Sequence, residues 1–584
     1  MRLIEIRLLE GPNVYRLEPV VKVEVAVGRR RTWFGQRVPA HHALVHLGAS
    51  LPRREWPEPV ETLAGWARRL RADHGEGVGG IRVHRSSDPG HWILTWPWVG
   101  AERARAIAEA SVSLTDRAAT PARRARLTGA QERLLEQWTG RIGRASVTAP
   151  PWIRNADRKV PVISISGTNG KSTTTRLLTR ILLRSGRHVG TTTSDGILVD
   201  ERMVEPGDWT GPGGAHEILA RSDVDLAVLE TARGGLVLKG VGYESNDVSI
   251  LTNVSSDHLD LQGIHTLPEL AEVKATICRI TRPDGWVVLN ADDPFVRAVA
   301  RTVRARVAFF SQRGDASPVI RRHLAAGGRA YVVRKGDLGE AEGDGWTPIV
   351  AVRDVPITLA GLARHNVANA MAASAGARAL GLSVEEVRAG LLDFRPTADA
   401  SPGRMNIFRN GGRVAIVDFA HNEAGLEVLL DVADGIAGGA GGRVTPITVI
   451  IGTAGDRPDD TLQAMGRIAA TRAQRVAFKE TLGYLRGRSR DSVLGELRDG
   501  ATAGGWTGDI PVYETEVAAL RAELNGAAAG SDGSRHDAAR IVVLLCHEDR
   551  GAVFKLLRDL NFRPVETAAD LINLAPRLED RPRR

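Results

Sequence analysis

Residues 167–173 read Gly-Thr-Asn-Gly-Lys-Ser-Thr, so that two glycines, an amide, a lysine and three hydroxyl side chains follow one another in seven positions. Before them, Val162, Ile163 and Ile165 form a β-branched apolar run of buried-strand type. After them, Leu177, Leu178, Ile181 and Leu182 recur on one helical face, and Gly186 is the expected helix stop. A glycine turn between a strand and a helix start leaves backbone N–H groups, reinforced by the helix dipole, pointing at whatever sits there. Gly167, Thr168, Asn169, Gly170 and Thr173 therefore read as an anion cradle. Lys171 is a mobile cation for outer phosphates, and the Ser172 hydroxyl is placed to coordinate Mg²⁺. Ile165 stands where the common phosphate-loop pattern has its first glycine. The bland alternative is a glycine-rich loop that only packs a helix onto a sheet. Strand, glycines, Lys-Ser and helix in that order favour a nucleoside triphosphate site.

Functional groups of a parallel sheet gather at strand C-termini. Glu230 closes the apolar run 225–229, where its carboxylate suits Mg²⁺ directly or through water. Asp257-His258 follows the next run, 248–254, and His258 suits a second metal. A lone histidine is more often structural, but strand ends that also supply Ser172 and Glu230 favour a ligand. Lys274, in Glu272-Val-Lys-Ala, is a solvent-facing lysine if read alone. Beside a metal cluster it could become a carbamate, a carboxylate-like ligand.

The elements that must position these groups are those of an α/β, multi-domain chain. At 584 residues one core is too small, and 43% hydrophobic with 25% charged residues is a globular composition. Residues 1–117 form a small α+β domain, with alternating strands at 3–8 and 21–27, a strand at 91–98 and a helix at 101–110. Its Trp92, Trp96 and Trp98 read as packing rather than a ligand-stacking surface. Residues 118–158 read as a linker containing a polar helix at 129–142. Residues 159–400 carry strands and helices in the rhythm of a doubly wound, mainly parallel sheet, with a peripheral antiparallel patch at 329–334 and 348–352. An alanine-rich helix at 365–380 closes on Gly381. Residues 401–584 repeat the rhythm as a Rossmann-like α/β domain, with strands at 414–417, 448–451, 476–478, 510–512 and 541–545. Glycine-rich loops are expected at 438–442 and 526–533.

The net charge of +9 comes from scattered arginines and suits nucleotides and acidic substrates; nucleic-acid binding is weakly supported. Arg123-Arg124-Ala-Arg126 reads as a solvated helix face. Cys278 and Cys546 cannot make a disulfide framework, which fits a reducing, cytoplasmic setting. The N-terminus is no signal peptide, and no apolar run approaches membrane-spanning length.

Taken together, these segments resemble the Mur ligases, ATP-dependent carboxylate–amine ligases. Gly167-Thr-Asn-Gly-Lys-Ser-Thr173 is similar to their phosphate loop, Thr252-Asn-Val-Ser-Ser-Asp-His-Leu-Asp260 to their metal-histidine segment, and Arg364-His-Asn-Val-Ala-Asn-Ala370 to their Asn-containing helix start. Gly403-Arg404-Met and Val417-Asp-Phe-Ala-His-Asn422 resemble the nucleotide contacts of their third domain. Thr193-Ser-Asp-Gly196, Leu229-Glu-Thr-Ala-Arg-Gly-Gly235 and Leu485-Arg-Gly-Arg488 resemble, more narrowly, the Mur-type half of cyanophycin synthetases, and the first residues resemble the N-terminal domain of those enzymes. Those synthetases carry an ATP-grasp domain between the two parts, where this chain has only the linker.

The resemblance implies one ligation chemistry, in which ATP activates a carboxylate as an acyl phosphate and an amine then attacks it. It implies two Mg²⁺ ions, one on Ser172 and Glu230 and one on His258 with carbamylated Lys274. Lys171 serves the phosphates, Asn366 and Arg404 contact the nucleotide, and Asp418 and, less firmly, His421 orient it. Arg233, Lys239, Arg486 and Arg488 are the candidate substrate contacts, although for Arg486 and Arg488 a reading as surface arginines of an arginine-rich chain weighs equally. The implied substrates are an aspartyl carboxylate in a peptide and an arginine-like amino acid, with a separate ATP-grasp ligase as a possible partner. A homo-oligomer is expected. A polyglutamate or cell-wall peptide ligase, and a non-catalytic nucleotide-binding scaffold, are the competing readings.

Overall fold

Three β-sheets organise the chain in the computed structural model, which describes residues 1–28, 49–77, 80–117, 127–255, 259, 261–398, 401–438, 445–525, 539–566 and 570. Asp257, His258, the arginines at 123–126 and nearly all of both glycine-rich loops lie outside the described residues.

The first sheet is antiparallel, in the order Arg2–Leu9, Val20–Ala26, His91–Pro97, Arg82–Arg85, with helices Glu58–Asp73 and Ala101–Arg117 beside it. The strand Val20–Ala26 is buried along nearly all of its length instead of being half exposed. Val21, Val23 and Val25 enter the local core. Lys22 and Glu24, paired at 2.8 Å, line a small cavity whose other wall is Leu236, Val237 and Gln262 of the middle sheet's domain. The alternation is present, but another domain covers its polar face. Trp96 and Trp98 are buried in packing, and Trp98 Nε1 donates to the Leu9 carbonyl at 3.0 Å. The expected linker helix runs Gly129–Arg144, opened by a Thr128–Gln131 capping box, and it buries Ile142 in this same core rather than standing free.

The second sheet has eleven strands. Its seven middle strands are parallel: Arg329–Arg334, Arg306–Ser311, Thr281–Asn290, Asn246–Leu251, Val162–Ser166, Leu226–Glu230 and Val189–Thr192. Antiparallel hairpins extend both edges. The stretch 329–334 is thus no separate patch. It joins the main sheet in parallel before the chain turns into antiparallel Asp337–Glu342 and Gly345–Ala351. Val162–Ser166 lies between two strands that both come later in the chain, a topological switch point, with the crevice at its carboxyl end. Gly167, Glu230 and Thr252 all emerge there.

The third sheet is parallel over Val512–Tyr513, Arg475–Lys479, Ile447–Ile451, Arg540–Leu545 and Arg413–Asp418. It is closed by antiparallel Asn406–Asn410 and Arg563–Pro564.

The first and second domains meet with no space to spare at Gly11. Glu10 N–H donates to the Lys239 carbonyl and Val241 N–H to the Pro12 carbonyl, each at 2.7 Å, and a Cβ on Gly11 would lie 1.8 Å from the Val241 oxygen. Gly11→Ala is expected to destabilise this junction by about 1–3 kcal/mol. The check is a lowered melting temperature together with faster proteolysis of the connecting stretch 145–158; an unchanged pattern would show that the junction yields freely.

Candidate active site

The phosphate loop is shaped by what packs against its glycines. Gly167 (φ +152°) and Gly170 (φ +83°) adopt backbone conformations that side chains avoid. A Cβ on Gly167 would sit 1.9 Å from Thr252 Oγ1, and one on Gly170 would sit 2.4 Å from Asn369 Oδ1. Asn253 accepts Thr168 N–H through its carbonyl at 2.9 Å and Asn169 N–H through its side chain at 2.8 Å. Thr252 Oγ1 and Asn253 Nδ2 both donate to the Asn169 carbonyl, at 2.7 and 3.0 Å. Buried Lys274, at the end of helix Leu267–Lys274, donates from Nζ to the Gly167 carbonyl at 2.8 Å. This contact braces the loop. Lys171 folds over the loop, its Nζ 2.9 Å from the Thr168 carbonyl. Helix Lys171–Arg184 starts at Gly170 without a side-chain cap, so its first N–H groups stay open toward the cradle.

Glu230 stands next to this loop with 2% of its surface exposed. The Ser172 hydroxyl hydrogen-bonds to it, whereas its Oε2 is buried with no hydrogen-bond partner among the described residues. Burial pushes the carboxyl above the usual range, and Lys171, Ser172 and Arg404 draw it only part of the way back. A buried carboxylate with one orphaned oxygen, adjacent to a hydroxyl and a phosphate cradle, fits the oxygen ligand set of a hard divalent cation.

Asn366, expected to face the nucleotide, is held elsewhere: its Nδ2 donates to the Ile357 carbonyl at 2.9 Å and its Oδ1 accepts from Asn369 at 3.0 Å. Asn369 is the residue against the loop, accepting from Thr174 Oγ1 at 3.3 Å. It lies three residues further along helix Arg364–Ala379, so the i,i+3 repeat of asparagine is the available sequence signal.

The third domain supplies the opposite wall. Arg404 lies over the Phe419 ring at 4.8 Å. Asp418 accepts the N–H groups of Met405 and Ala420, each at 2.7 Å; burial raises its carboxyl, opposed by Arg404 and those two N–H groups. His421 Nδ1 donates to the Phe419 carbonyl at 3.0 Å. Asn422 caps helix Glu423–Ala437 and pairs its amide with that of Asn169 at 3.3 and 3.5 Å.

Asp195 makes a further polar link between these two domains, and the sequence alone assigns it no role. It accepts from Arg176 at 2.8 Å and from Arg550 at 3.0 Å. Burial alone would raise it, but Arg550, Arg176 and Arg404 outweigh that and hold its carboxyl below the usual range. Asp195 lies in the segment Thr193–Gly196 that carries the resemblance, but neither it nor Arg550 is given a role by sequence, since each needs the other domain to acquire meaning.

The candidate substrate residues separate. Arg233 is buried and fastened to Gln262 at 3.3 Å and to the Leu261 carbonyl, near a pocket lined by Gly235 and residues 240–243. Lys239 is exposed at the end of helix Arg233–Leu238. Arg486 (φ +48°) pairs with Asp456 at 2.5 Å, and Arg488 with Asp459 at 2.6 Å, partners inside the third domain.

With this arrangement in place, comparison with known proteins assigns the two larger domains. The Mur ligase middle domain matches residues 165–377, and the Mur ligase, glutamate ligase domain matches residues 403–549, together well over half of the chain. The chain belongs to the Mur ligase family. The cyanophycin synthetase of Trichormus variabilis is 40% identical over 344 residues, covering 59% of this chain and 37% of that one. That of Synechocystis sp. is 41% identical over 322 residues, 55% of this chain and 36% of that one. The chain thus spans well under half the length of these synthetases. The UDP-N-acetylmuramoyl-L-alanyl-D-glutamate–2,6-diaminopimelate ligase of Corynebacterium efficiens is 28% identical over 421 residues, 69% of this chain and 74% of that one. A bifunctional folylpolyglutamate synthase/dihydrofolate synthase solved with Mn, AMPPNP and L-glutamate bound aligns with a TM-score of 0.47 and 18% identity, over 69% of this chain and 89% of that one. This Mur ligase chain is therefore placed among ligases, in an α/β multi-domain fold.

Glu230 gives a stability prediction with a definite sign. Its carboxyl titrates above the ordinary glutamate range in the folded state, so below that range ionisation costs nothing. The cost grows as pH rises through the native value. Glu230→Gln should therefore melt a few degrees above wild type near neutral pH without divalent cations, with the gap closing toward about pH 4. Thermal scans across pH check this. A variant that melts lower at neutral pH would mean that the carboxylate is already compensated by protein groups.

Proposed function

We propose that the chain is an ATP-dependent amide ligase that activates a carboxylate as an acyl phosphate and transfers it to an amine. The observation that carries this is the buried Glu230 carboxylate with its orphaned oxygen beside Ser172 and the phosphate loop, faced by Arg404 from the third domain. Loop N–H groups and Lys171 would hold the β- and γ-phosphates of ATP. Ser172 and Glu230 would hold one Mg²⁺; His258, with Lys274 as its carbamate, is assigned to a second. The metal, when bound, supplies positive charge to the phosphates. A substrate carboxylate oxygen attacks the γ-phosphorus and ADP leaves. The amine then attacks the acyl carbon, the C–O bond to phosphate breaks, and inorganic phosphate and a proton are released. Arg404, Asp418 and His421 would contact or orient the nucleotide, with Asn366 acting through Asn369. The Asp195–Arg550 and Asn169–Asn422 contacts support a closed site that keeps water from the acyl phosphate.

The finer reading is that the carboxylate belongs to an aspartyl side chain in a peptide and the amine to an arginine-like amino acid. Likeness to proteins named cyanophycin synthetase supports it, and Arg233, Lys239, Arg486 and Arg488 are its candidate contacts. The domain division 1–117, 118–158, 159–400 and 401–584, a cytoplasmic location, a homo-oligomer and cooperation with a separate ATP-grasp ligase complete the proposal. Among the described residues no helix is long and apolar enough to cross a membrane.

ADP release with Mg-ATP tests it, screening single amino acids against Asp- and Glu-containing peptides. Turnover should require both an acceptor and an amine, and Lys171→Ala should lose it by about 10² or more. ATP hydrolysis indifferent to both, or no ATP binding at all, would refute the ligase assignment.

A further inference from the structure

Lys479 ends the strand Arg475–Lys479 and its side chain is wholly buried. Its Nζ donates to Glu516 Oε1 at 2.5 Å and to His547 Nδ1 at 3.2 Å. Glu516 also accepts the N–H groups of His547, Glu548 and Asp549 at 2.5, 3.1 and 2.9 Å, and the Cys546 thiol at 3.0 Å. His547 Nε2 lies 2.9 Å from the Ala420 carbonyl. A carbonyl only accepts, so Nε2 carries the proton and Nδ1 is the lone pair that meets the lysine. The ring also stands edge-on to Phe419, centroids 5.1 Å apart.

Burying an ion pair costs desolvation that well-packed apolar residues would avoid, so such a pair invites a reason for its presence. Here the network ends on one atom, the carbonyl of Ala420. That atom sits in the middle of the segment 418–422, which presents Asp418 and Phe419 to Arg404 and joins Asn422 to Asn169 of the phosphate loop. We infer that Lys479 and His547 are positioning residues: Lys479, anchored by Glu516, sets the His547 tautomer, and His547 Nε2–H clamps the 418–422 segment against the phosphate loop. The nucleotide then meets a wall whose ordering has already been met. The kinetic consequence rests on the nucleotide-site reading above; the clamp itself does not.

The experiment compares wild type, His547→Leu, His547→Gln and Lys479→Met in the full chain by amide hydrogen exchange of the 418–425 segment without ligand, by KM for ATP against kcat, and by melting temperature. His547→Leu should speed exchange of that segment and raise KM for ATP about tenfold, one hydrogen bond's worth, with a smaller change in kcat. His547→Gln keeps a donor for Ala420 and an acceptor for Lys479, and should restore both. Lys479→Met should resemble His547→Leu. Exchange unchanged in His547→Leu, or leucine and glutamine variants equally altered, would overturn the inference and leave a purely packing role. Should wild type fail to bind ATP, the nucleotide reading falls, and the exchange data alone still decide the clamp.

Discussion

A carboxylate buried to 2% exposure, with an oxygen that no group among the described residues satisfies, is a debt in free energy, and the candidate active-site region is arranged around it. Glu230 ends a central strand, so its backbone is fixed by pairing within the sheet. The surrounding charges answer it unequally. Lys171 and Arg404 attract it, Asp195 repels it, and Asp195 is itself neutralised by Arg176 and Arg550. The protein has thus satisfied the second carboxylate internally and left the first short of partners. That asymmetry is what a cation-binding phosphate site requires.

The same site depends on contact between domains. The phosphate loop is held from beneath by Thr252, Asn253, Lys274 and Asn369, groups that come from three separate segments of the middle domain. From above it is touched by Asn422, and Asp195 is touched by Arg550. Under the proposed function, a wall made by a second domain would open for substrates and close for chemistry, excluding water without a permanent seal. The polar cluster behind Ala420 gives that wall internal stiffness.

Much of this is legible in the amino-acid sequence. The strand, glycines, Lys-Ser and helix of residues 162–182 are local signals, and local signals survive folding. Glu230 is legible because strand ends collect function in parallel sheets. What escapes are facts about partners. The strand Val20–Ala26 looks half-exposed because its pattern cannot say that a second domain covers Lys22 and Glu24. Residues 329–334 alternate like an antiparallel patch, yet alternation does not reveal a parallel neighbour. Asn366 and Asn369 both fit their segment, and only side-chain packing shows that the second of them meets the loop. Asp195, although it lies in a segment that carries the resemblance, and Arg550, Lys479 and His547 acquire roles only across gaps of tens to hundreds of positions.

The central claim is chemical: an acyl phosphate forms on the substrate carboxylate. Its most direct test uses an acceptor whose carboxylate oxygens are ¹⁸O, incubated with Mg-ATP and the amine, with the released phosphate analysed by mass spectrometry. The account requires one labelled oxygen to appear in each phosphate released, because the attacking oxygen leaves with phosphorus when the amide forms. Unlabelled phosphate released alongside amide product, or phosphate labelled only from ¹⁸O-water, would contradict it.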